Sequence, residues 1–270
     1  MAVRVTVLLC HHAGHAILPA AVNLLKTEVN VAAPDDRLDD IWALSGPVPG
    51  IGGQAGPEGA LSSDAAVSTP ALNMRVIAPV EPLDGQFGAE KKKSVPDALW
   101  PVLFGPVATE PALPCYAVID AGRVPGLPDL LAGSGLKHAC LFRDEGGGDL
   151  QQAAPWIVEI RDENSFVRNL FTRGAAPWQM WDRRPGIFLR SAASLDDLRR
   201  HFRKFVRLYS QQTQSWHFFR FYTPEIARTV VAAFDARQFA GFGAPLRLIA
   251  CPARGAGFCV MTPSTGTGGA

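Results

Sequence analysis

The chain has 270 residues, and its 26 lysine and arginine residues nearly balance 25 aspartate and glutamate residues, giving a formal net charge of +1. This balance argues against a dedicated nucleic-acid-binding protein, because such proteins normally carry a basic excess. No apolar run in the sequence reaches the roughly 20 residues that a membrane-spanning helix requires, so we expect no membrane insertion.

Five cysteines are scattered along the chain without the paired spacing of a zinc site: Cys10, Cys115, Cys140, Cys251 and Cys259. An odd, dispersed set favours a reducing compartment over a disulfide framework. The apolar run at residues 5–10 is also shorter than the core of a secretion signal. We therefore expect a cytoplasmic protein.

Composition divides the chain near residue 94. Residues 1–94 are rich in glycine and proline, as at 46–53 and 56–59, which predicts a poorly ordered extension. The run at 90–94 is typical of a solvated linker. An alternative is that translation starts at Met74.

From residue 95 the sequence predicts short helices alternating with buried strands. The predicted helices lie at 96–104 and 127–134, and the predicted strands at 115–120, 138–142 and 154–160. This order is typical of an α/β (α+β) fold. We predict an N-terminal α/β lobe over residues 95–175, with a small mixed sheet.

The following residues predict a smaller, mainly helical lobe over 176–250 and a flexible tail over 251–270. The predicted strands lie at 186–190, 216–222 and 245–250, and the second helix of this lobe lies at 225–234. The first helix begins at Ser194, with Asp197 three residues later in the pattern of a capping box. Thr223 is expected to cap the second helix.

The helix that begins at Ser194 is predicted to run to about Tyr209, with an apolar and a basic face. The apolar face consists of Leu195, Leu198, Phe202, Phe205 and Tyr209. The basic face consists of Arg199, Arg200, Arg203, Lys204 and Arg207. Three interpretations of this basic face remain open: a solvated surface, an interface for an acidic patch on a protein partner, or contacts to nucleic acid.

The stretch 216–222 is dense in aromatic residues, which predicts a strand buried on both sides between the lobes. A peptide-binding groove is the alternative interpretation. Arg220 lies inside this stretch and must either reach the surface or pair with a buried carboxylate. Asp120, at the end of the strand 115–120, is the candidate partner.

Four segments carry a resemblance to a known family. They are Ala-Val-Ile-Asp-Ala at 117–121, Gly-Ile-Phe-Leu-Arg-Ser at 186–191, the basic helix at 195–205 and Phe-Arg-Phe-Tyr at 219–222. In this order they resemble the DUF4123 family of type VI secretion effector chaperones, also called effector adaptors, over residues 95–250. Pro185 stands where the family usually has tryptophan, and Thr223 where it commonly has aspartate. The matching positions are expected to be structural: Asp120, Gly186, Phe188, Leu195, Leu198, Phe202, Phe219, Phe221 and Tyr222.

The resemblance implies a non-enzymatic chaperone or adaptor that binds one cognate toxin effector in the cytoplasm and helps to load it onto the valine–glycine-repeat (VgrG) spike protein. It implies neither a cofactor nor a nucleic-acid partner. As residues that bind the effector or another partner we name Arg199, Arg200, Arg203, Lys204, Arg207 and Arg220.

Alternatives to the adaptor function have less support in the sequence. A small hydrolase or transferase would need an unfamiliar site, because no Gly-x-Ser-x-Gly elbow or phosphate-binding glycine loop is present. An adaptor for peptide or glycan in an unrelated process is a third possibility. His11 and His15 could share one helix face beside Cys10 and His12, as metal ligands do, but no second cluster matches them, so we predict no metal site.

Overall fold

The computed structural model describes residues 3–8, 26–31, 71–107, 113–142, 152–210 and 214–264. Its strands are β1 (Val3–Leu8), β2 (Lys26–Val31), β3 (Leu72–Ile77), β4 (Cys115–Asp120), β5 (His138–Cys140), β6 (Pro155–Ile160), β7 (Gly186–Arg190), β8 (Arg207–Ser210), β9 (Ser215–Phe218), β10 (Leu248–Pro252) and β11 (Phe258–Pro263). Its helices are α1 (Trp100–Leu103), α2 (Leu127–Ala132), α3 (Ser165–Phe171), α4 (Leu195–Arg203), α5 (Pro224–Thr229) and α6 (Ala236–Phe242). None of these helices has the length and apolar character needed to cross a membrane. The histidine cluster at 10–15 and the glycine- and proline-rich run at 46–59 lie outside the described residues.

A seven-stranded sheet in the order β3–β11–β10–β7–β4–β6–β5 forms the centre of the fold. The class is α+β, as the sequence predicts. The sheet is not mixed, however, because each pairing between its described strands is antiparallel. For β10 and β11 the short connection of residues 253–257 requires this, because parallel neighbours need a crossover of about a dozen residues. Two separate antiparallel ribbons pair β1 with β2 and β8 with β9.

Both faces of the sheet are covered, so its strands alternate between two hydrophobic cores. In β4, Tyr116 and Val118 belong to the core that includes residues of α4, α5 and α6. Ala117 and Ile119 belong to the core that includes residues of α1, α2 and α3. The helices of the two predicted lobes therefore pack on opposite faces of one sheet.

Two strands of the sheet lie where the sequence predicts little regular structure. β3 falls within the predicted extension, and β11 falls within the predicted flexible tail. β11 pairs with β10 on one side and with β3 on the other, and its Phe258 and Val260 are buried. The prediction of a flexible tail is therefore wrong for β11. The glycine, serine and threonine residues around its short apolar run hide the strand when the sequence is read by composition.

The helix predicted to reach Tyr209 is α4, which ends at Arg203. At this end the N–H of Phe205 donates to the carbonyl of Phe202 at 2.9 Å, and the chain then turns into β8. The prediction of a longer helix is wrong. Phe205 lies in a turn and Tyr209 in a strand, but both happen to keep the spacing of apolar residues that a helix would have. The start is as predicted, since the Oγ of Ser194 accepts the N–H of Asp197 at 3.2 Å.

Other predicted helices are also shorter in the structure. The helix expected at 96–104 is confined to α1, and the one expected at 225–234 ends as α5, followed by the 3-10 turn Val231–Ala233. Thr223 precedes α5 as predicted, but its hydroxyl donates to the carbonyl of Arg220 at 3.0 Å instead of capping the helix.

Candidate functional site

Asp120 and Arg220, from the first and last of the four family-like segments, form an ion pair. Asp120 ends β4 and is fully buried, and its Oδ2 accepts from the Nη2 of Arg220 at 2.5 Å. Its Oδ1 accepts the N–H of Gly122 at 3.1 Å, and the Nε of Arg123 lies 3.8 Å from Oδ2. The predicted pairing is confirmed, and Arg220 also reaches the surface, where half of its side chain is exposed.

Further polar contacts extend this cluster toward α5. The guanidinium of Arg123 donates to the carboxylate of Glu225 at 2.9 Å, near the start of α5. Tyr222 is buried beside Arg220, and its burial raises the pKa of the phenol to about 12. Because the buried carboxylate faces two guanidiniums, its charge is compensated, and the cluster fastens the segment after β9 to the end of β4.

The remaining family-like positions lie in the core. A side chain at Gly186 would place its Cβ 1.9 Å from the carbonyl oxygen of Val118, so only glycine allows β7 to lie this close to β4. Phe188 stacks on Phe171 with ring centroids 5.1 Å apart. Buried or partly buried apolar positions account for the rest, namely Leu195, Leu198, Phe202, Phe219 and Phe221.

The basic residues in and directly after α4 make different contacts and do not all face solvent. The Nε of Arg199 donates to the carbonyl of Cys140 at 3.2 Å, and the Nη2 of Arg203 donates to that of Phe142 at 2.8 Å. These two guanidiniums contact the outer end of β5, the edge strand of the sheet, where they protect backbone carbonyls from pairing with another strand. Arg200 forms an ion pair with Asp197, and Lys204 is exposed.

The outward face of the β8–β9 ribbon carries four side chains that form a row with Phe142, a residue that follows β5. We call these five residues the aromatic row: Phe142, Phe218, Arg207, Trp216 and Tyr209. Phe142 stacks on Phe218 at 5.3 Å, and Tyr209 lies 5.3 Å from Trp216. The Cζ of Arg207 lies 5.6 Å from the ring centroids of both Trp216 and Phe218. Each of these last contacts has the geometry of a cation–π interaction.

Two members of the aromatic row are exposed, contrary to the strand buried on both sides that the sequence predicts, and Phe142, Arg207 and Tyr209 are half-buried. Trp216 is 48% exposed and Phe218 is 56% exposed, whereas Leu208, on the opposite face of the ribbon, is buried. β9 ends at Phe218, and only the following aromatic residues, such as Phe219 and Phe221, enter the core. Large exposed aromatic side chains that lie together mark binding surfaces.

Comparison with known proteins places part of the chain in a family. Residues 115–240 match the family model of DUF4123, described as a domain of unknown function. These residues form a DUF4123 domain. No curated protein and no solved structure matches the chain. The match begins with β4 and ends within α6, so β3, β10 and β11 complete the sheet of the DUF4123 domain from outside the matched residues.

A surface groove of about 670 Å³ lies between the sheet edge and the start of α4 in the DUF4123 domain. Two polar groups of its lining serve the fold: the hydroxyl of Tyr116 donates to the carbonyl of Ala193 at 2.8 Å, and the Nδ1 of His138 donates to that of Leu136. No hydroxyl of the described lining residues contacts a histidine there. The contact between the hydroxyl of Ser215 and the ring of His217, at 2.9 Å, lies on β9 outside the groove.

Sequence reasoning misses two features of the DUF4123 domain. Arg190 is fully buried, and its guanidinium donates to the carbonyls of Leu113, Val102 and Gly105 at 3.1, 2.9 and 2.8 Å, which joins β7 to α1. An arginine inside an apolar strand is the signal for such a role. The alternation of polar and aromatic residues from Ser215 to Phe218 is the pattern of a half-exposed strand, but it does not indicate that the aromatic side chains face outward.

Proposed function

We propose that the chain is a non-enzymatic adaptor of a type VI secretion machine, which binds a cognate toxin effector in the cytoplasm and helps to load it onto the VgrG spike. The match of residues 115–240 to the DUF4123 family model supports the proposal, because this is the family that the sequence resembles. The observation that carries the proposal is the exposed aromatic row, since a chaperone needs apolar surface to which an aggregation-prone segment can bind.

The polar groups of the described residues favour binding over catalysis. The Asp120 cluster joins parts of the fold through compensated charges. In the groove beside α4, Tyr116 and His138 bond to backbone carbonyls and Ser194 caps the helix. An enzyme site would instead direct activated groups toward one empty position. The exposed row has the tryptophan, tyrosine and arginine content that is typical of protein interfaces.

Binding would act through mass action. A partner that binds only the folded adaptor is withdrawn from aggregation, and the folded adaptor is stabilised by an amount that grows with the logarithm of the partner concentration. A stable complex of this kind buries on the order of 1,600 Å² in total, so the row would be the centre of a larger contact.

Co-expression with the protein encoded beside this gene, followed by size-exclusion chromatography, tests the proposal. We expect the two proteins to co-elute and the neighbour to be insoluble, or to aggregate, when it is expressed alone. A second co-expression with a VgrG-type spike protein should give a ternary complex. The adaptor function is refuted when the neighbour is soluble alone, never co-elutes with the full chain, and the spike protein also fails to bind.

A further inference from the structure

We infer, building on the proposed function, that the aromatic row docks an extended acidic segment of the protein partner, which adds as a strand to the open edge of β9. This inference names the contact surface and the chemistry of the segment bound there. It follows from the register of the ribbon, the composition of its outward face and the charge of the surrounding chain.

The register of the ribbon directs some backbone N–H and C=O groups of β9 toward its outer edge, away from β8. The N–H of Phe219 donates to the carbonyl of Val206 at 3.0 Å, and hydrogen-bonded pairs alternate along an antiparallel ribbon. Trp216, opposite Tyr209, and Phe218, opposite Arg207, therefore occupy the alternate pairs, whose N–H and C=O groups point away from β8. Within the described part of the chain no strand pairs with this side of β9.

An extended segment bound at this edge would gain side-chain contacts as well as backbone hydrogen bonds. Trp216 and Phe218 project from the same residues whose backbone groups point outward, so one segment meets both. Strand addition obtains its affinity from main-chain bonds and its specificity from alternate side chains. Tryptophan, tyrosine and arginine, all three present in the row, are the residues enriched among interface hot spots.

The charge around the row favours an acidic segment. Between Asp197 and Glu225 the chain contains no acidic residue and has Arg199, Arg200, Arg203, Lys204, Arg207 and Arg220. Arg207 belongs to the row, Arg203 donates to the carbonyl of Phe142 in the row, and Lys204 is exposed near the start of β8. Carboxylates complement such a surface and form charge-assisted hydrogen bonds with arginine.

Basic and aromatic side chains together also suit single-stranded nucleic acid. A protein segment is favoured because the open edge offers main-chain donors and acceptors in strand register, whereas stacked bases need no such edge. The near-neutral charge of the whole chain also gives little general attraction for phosphate. Nucleic acid is therefore an outcome that the test has to separate.

The first arm measures binding of the co-expressed neighbour to the full chain and to the variant Trp216→Ala/Phe218→Ala. Both side chains are exposed, so the variant should fold, which circular dichroism and urea unfolding check. We expect affinity to fall by about 30-fold or more, the loss that follows removal of interface hot spots. Arg207→Glu should weaken binding further at low salt. Trp178→Ala and Phe87→Ala remove aromatics that are 50% and 96% exposed elsewhere, and should change affinity by less than about twofold.

Equal affinity of the wild-type chain and the Trp216→Ala/Phe218→Ala variant would overturn this inference and leave the proposed function intact. If the neighbour does not bind at all, the proposed function fails separately, and a second arm decides the inference. Random dodecapeptides displayed on phage are panned on the full chain and on the variant. Enrichment of acidic peptides that requires Trp216 and Phe218 supports the row as an acidic-segment site. The absence of such peptides, or row-dependent binding of labelled oligothymidine in their place, overturns it.

Discussion

Two arginines from different segments compensate the buried charge of Asp120. Its carboxylate is fully buried and depends on Arg220, with Arg123 farther away at 3.8 Å. Removing one partner of a buried ion pair is costly because the remaining charge stays in the interior. The half-exposed position of Arg220 reduces this cost, since water can partly replace the guanidinium.

We expect Arg220→Met to lower the free energy of unfolding by about 2–3 kcal/mol, because a buried carboxylate loses its closest cation. Urea unfolding at neutral pH measures this loss. The double variant Asp120→Asn/Arg220→Met is the control and should be less destabilised than the two single variants together, since no buried charge is left uncompensated. A single variant as stable as the wild-type protein would show that the ion pair does not hold the fold.

His201 makes stability depend on pH. Its Nε2 donates to the carbonyl of Phe242 at 2.7 Å, and burial lowers the pKa of the imidazole below its ordinary value of 6.5. As the pH falls through that value, the unfolded chain gains a proton that the folded chain resists. The free energy of unfolding therefore falls on acidification, by at most about 1.4 kcal/mol per pH unit, until the folded-state pKa is reached.

Replacing His201 by glutamine should flatten this dependence. The amide of glutamine can still donate to the carbonyl of Phe242, but it does not titrate. We expect the urea midpoint of His201→Gln to change less than that of the wild-type protein between about pH 7 and pH 5.5. Because both proteins contain the other five histidines, the difference between their slopes isolates His201. If the urea midpoints of the two proteins changed equally with pH, His201 would not be the source of the pH dependence.

Among the elements, α4 depends on its N-terminal cap. The Oγ of Ser194 accepts the N–H of Asp197 and donates to its carboxylate at 2.6 Å, which lowers the pKa of Asp197. We expect Ser194→Ala to reduce the free energy of unfolding by about 1 kcal/mol and to raise the pKa of Asp197 toward its ordinary value. NMR titration of the carboxyl measures the second effect. Asp196→Asn, which changes the neighbouring exposed acid, should leave the pKa of Asp197 lowered.

Strands that are continuous apolar runs could be predicted from the sequence, whereas β11, although buried on both sides, and the half-exposed β8 could not. β4 and β7 are short, continuous apolar runs, and the structure confirms them within a residue. The β8–β9 ribbon is predicted only in part. The strand expected at 216–222 overlaps β9, but β8 falls within the predicted helix because Phe205 and Tyr209 continue the spacing of α4 and no glycine marks the change of direction. Local spacing cannot distinguish a helix face from a turn followed by a strand when both carry apolar residues at the same intervals.

The candidate site illustrates the same limit. The pairing of Asp120 with Arg220 could be predicted because a charge inside an apolar stretch must be compensated, wherever its partner lies in the sequence. The aromatic row could not, because Phe142 joins Phe218 only through the tertiary fold. Of the predicted basic helix face, Arg199, Arg200 and Arg203 lie on α4, whereas Lys204 caps it and Arg207 begins β8. Hydrogen-bond partners such as the carbonyls of Cys140 and Phe142 depend on where β5 lies.

At the scale of the whole molecule, the sheet joins segments that composition separates. β3 comes from the glycine- and proline-rich part of the chain, yet it pairs with β11 along its whole length. Its first residue, Leu72, is buried in the same core as α6. The backbone just before it is also fixed, since the N–H of Ala71 donates to the carbonyl of Phe234 at 3.0 Å and its carbonyl accepts from Ser264 at 2.8 Å. A strand of this kind is a necessary part of the core although its own side chains are mostly exposed.

A chain that starts at Met74 should therefore be less stable than one that starts at Ala71 after an initiating methionine. The shorter chain loses the buried side chain of Leu72, worth about 2 kcal/mol, and two backbone hydrogen bonds of about 1 kcal/mol each. We expect a clearly lower melting temperature for the shorter chain, with the full chain measured beside both. Equal melting temperatures would mean that β3 contributes nothing before Met74. A difference in the expected direction would show that the folded unit begins before Met74.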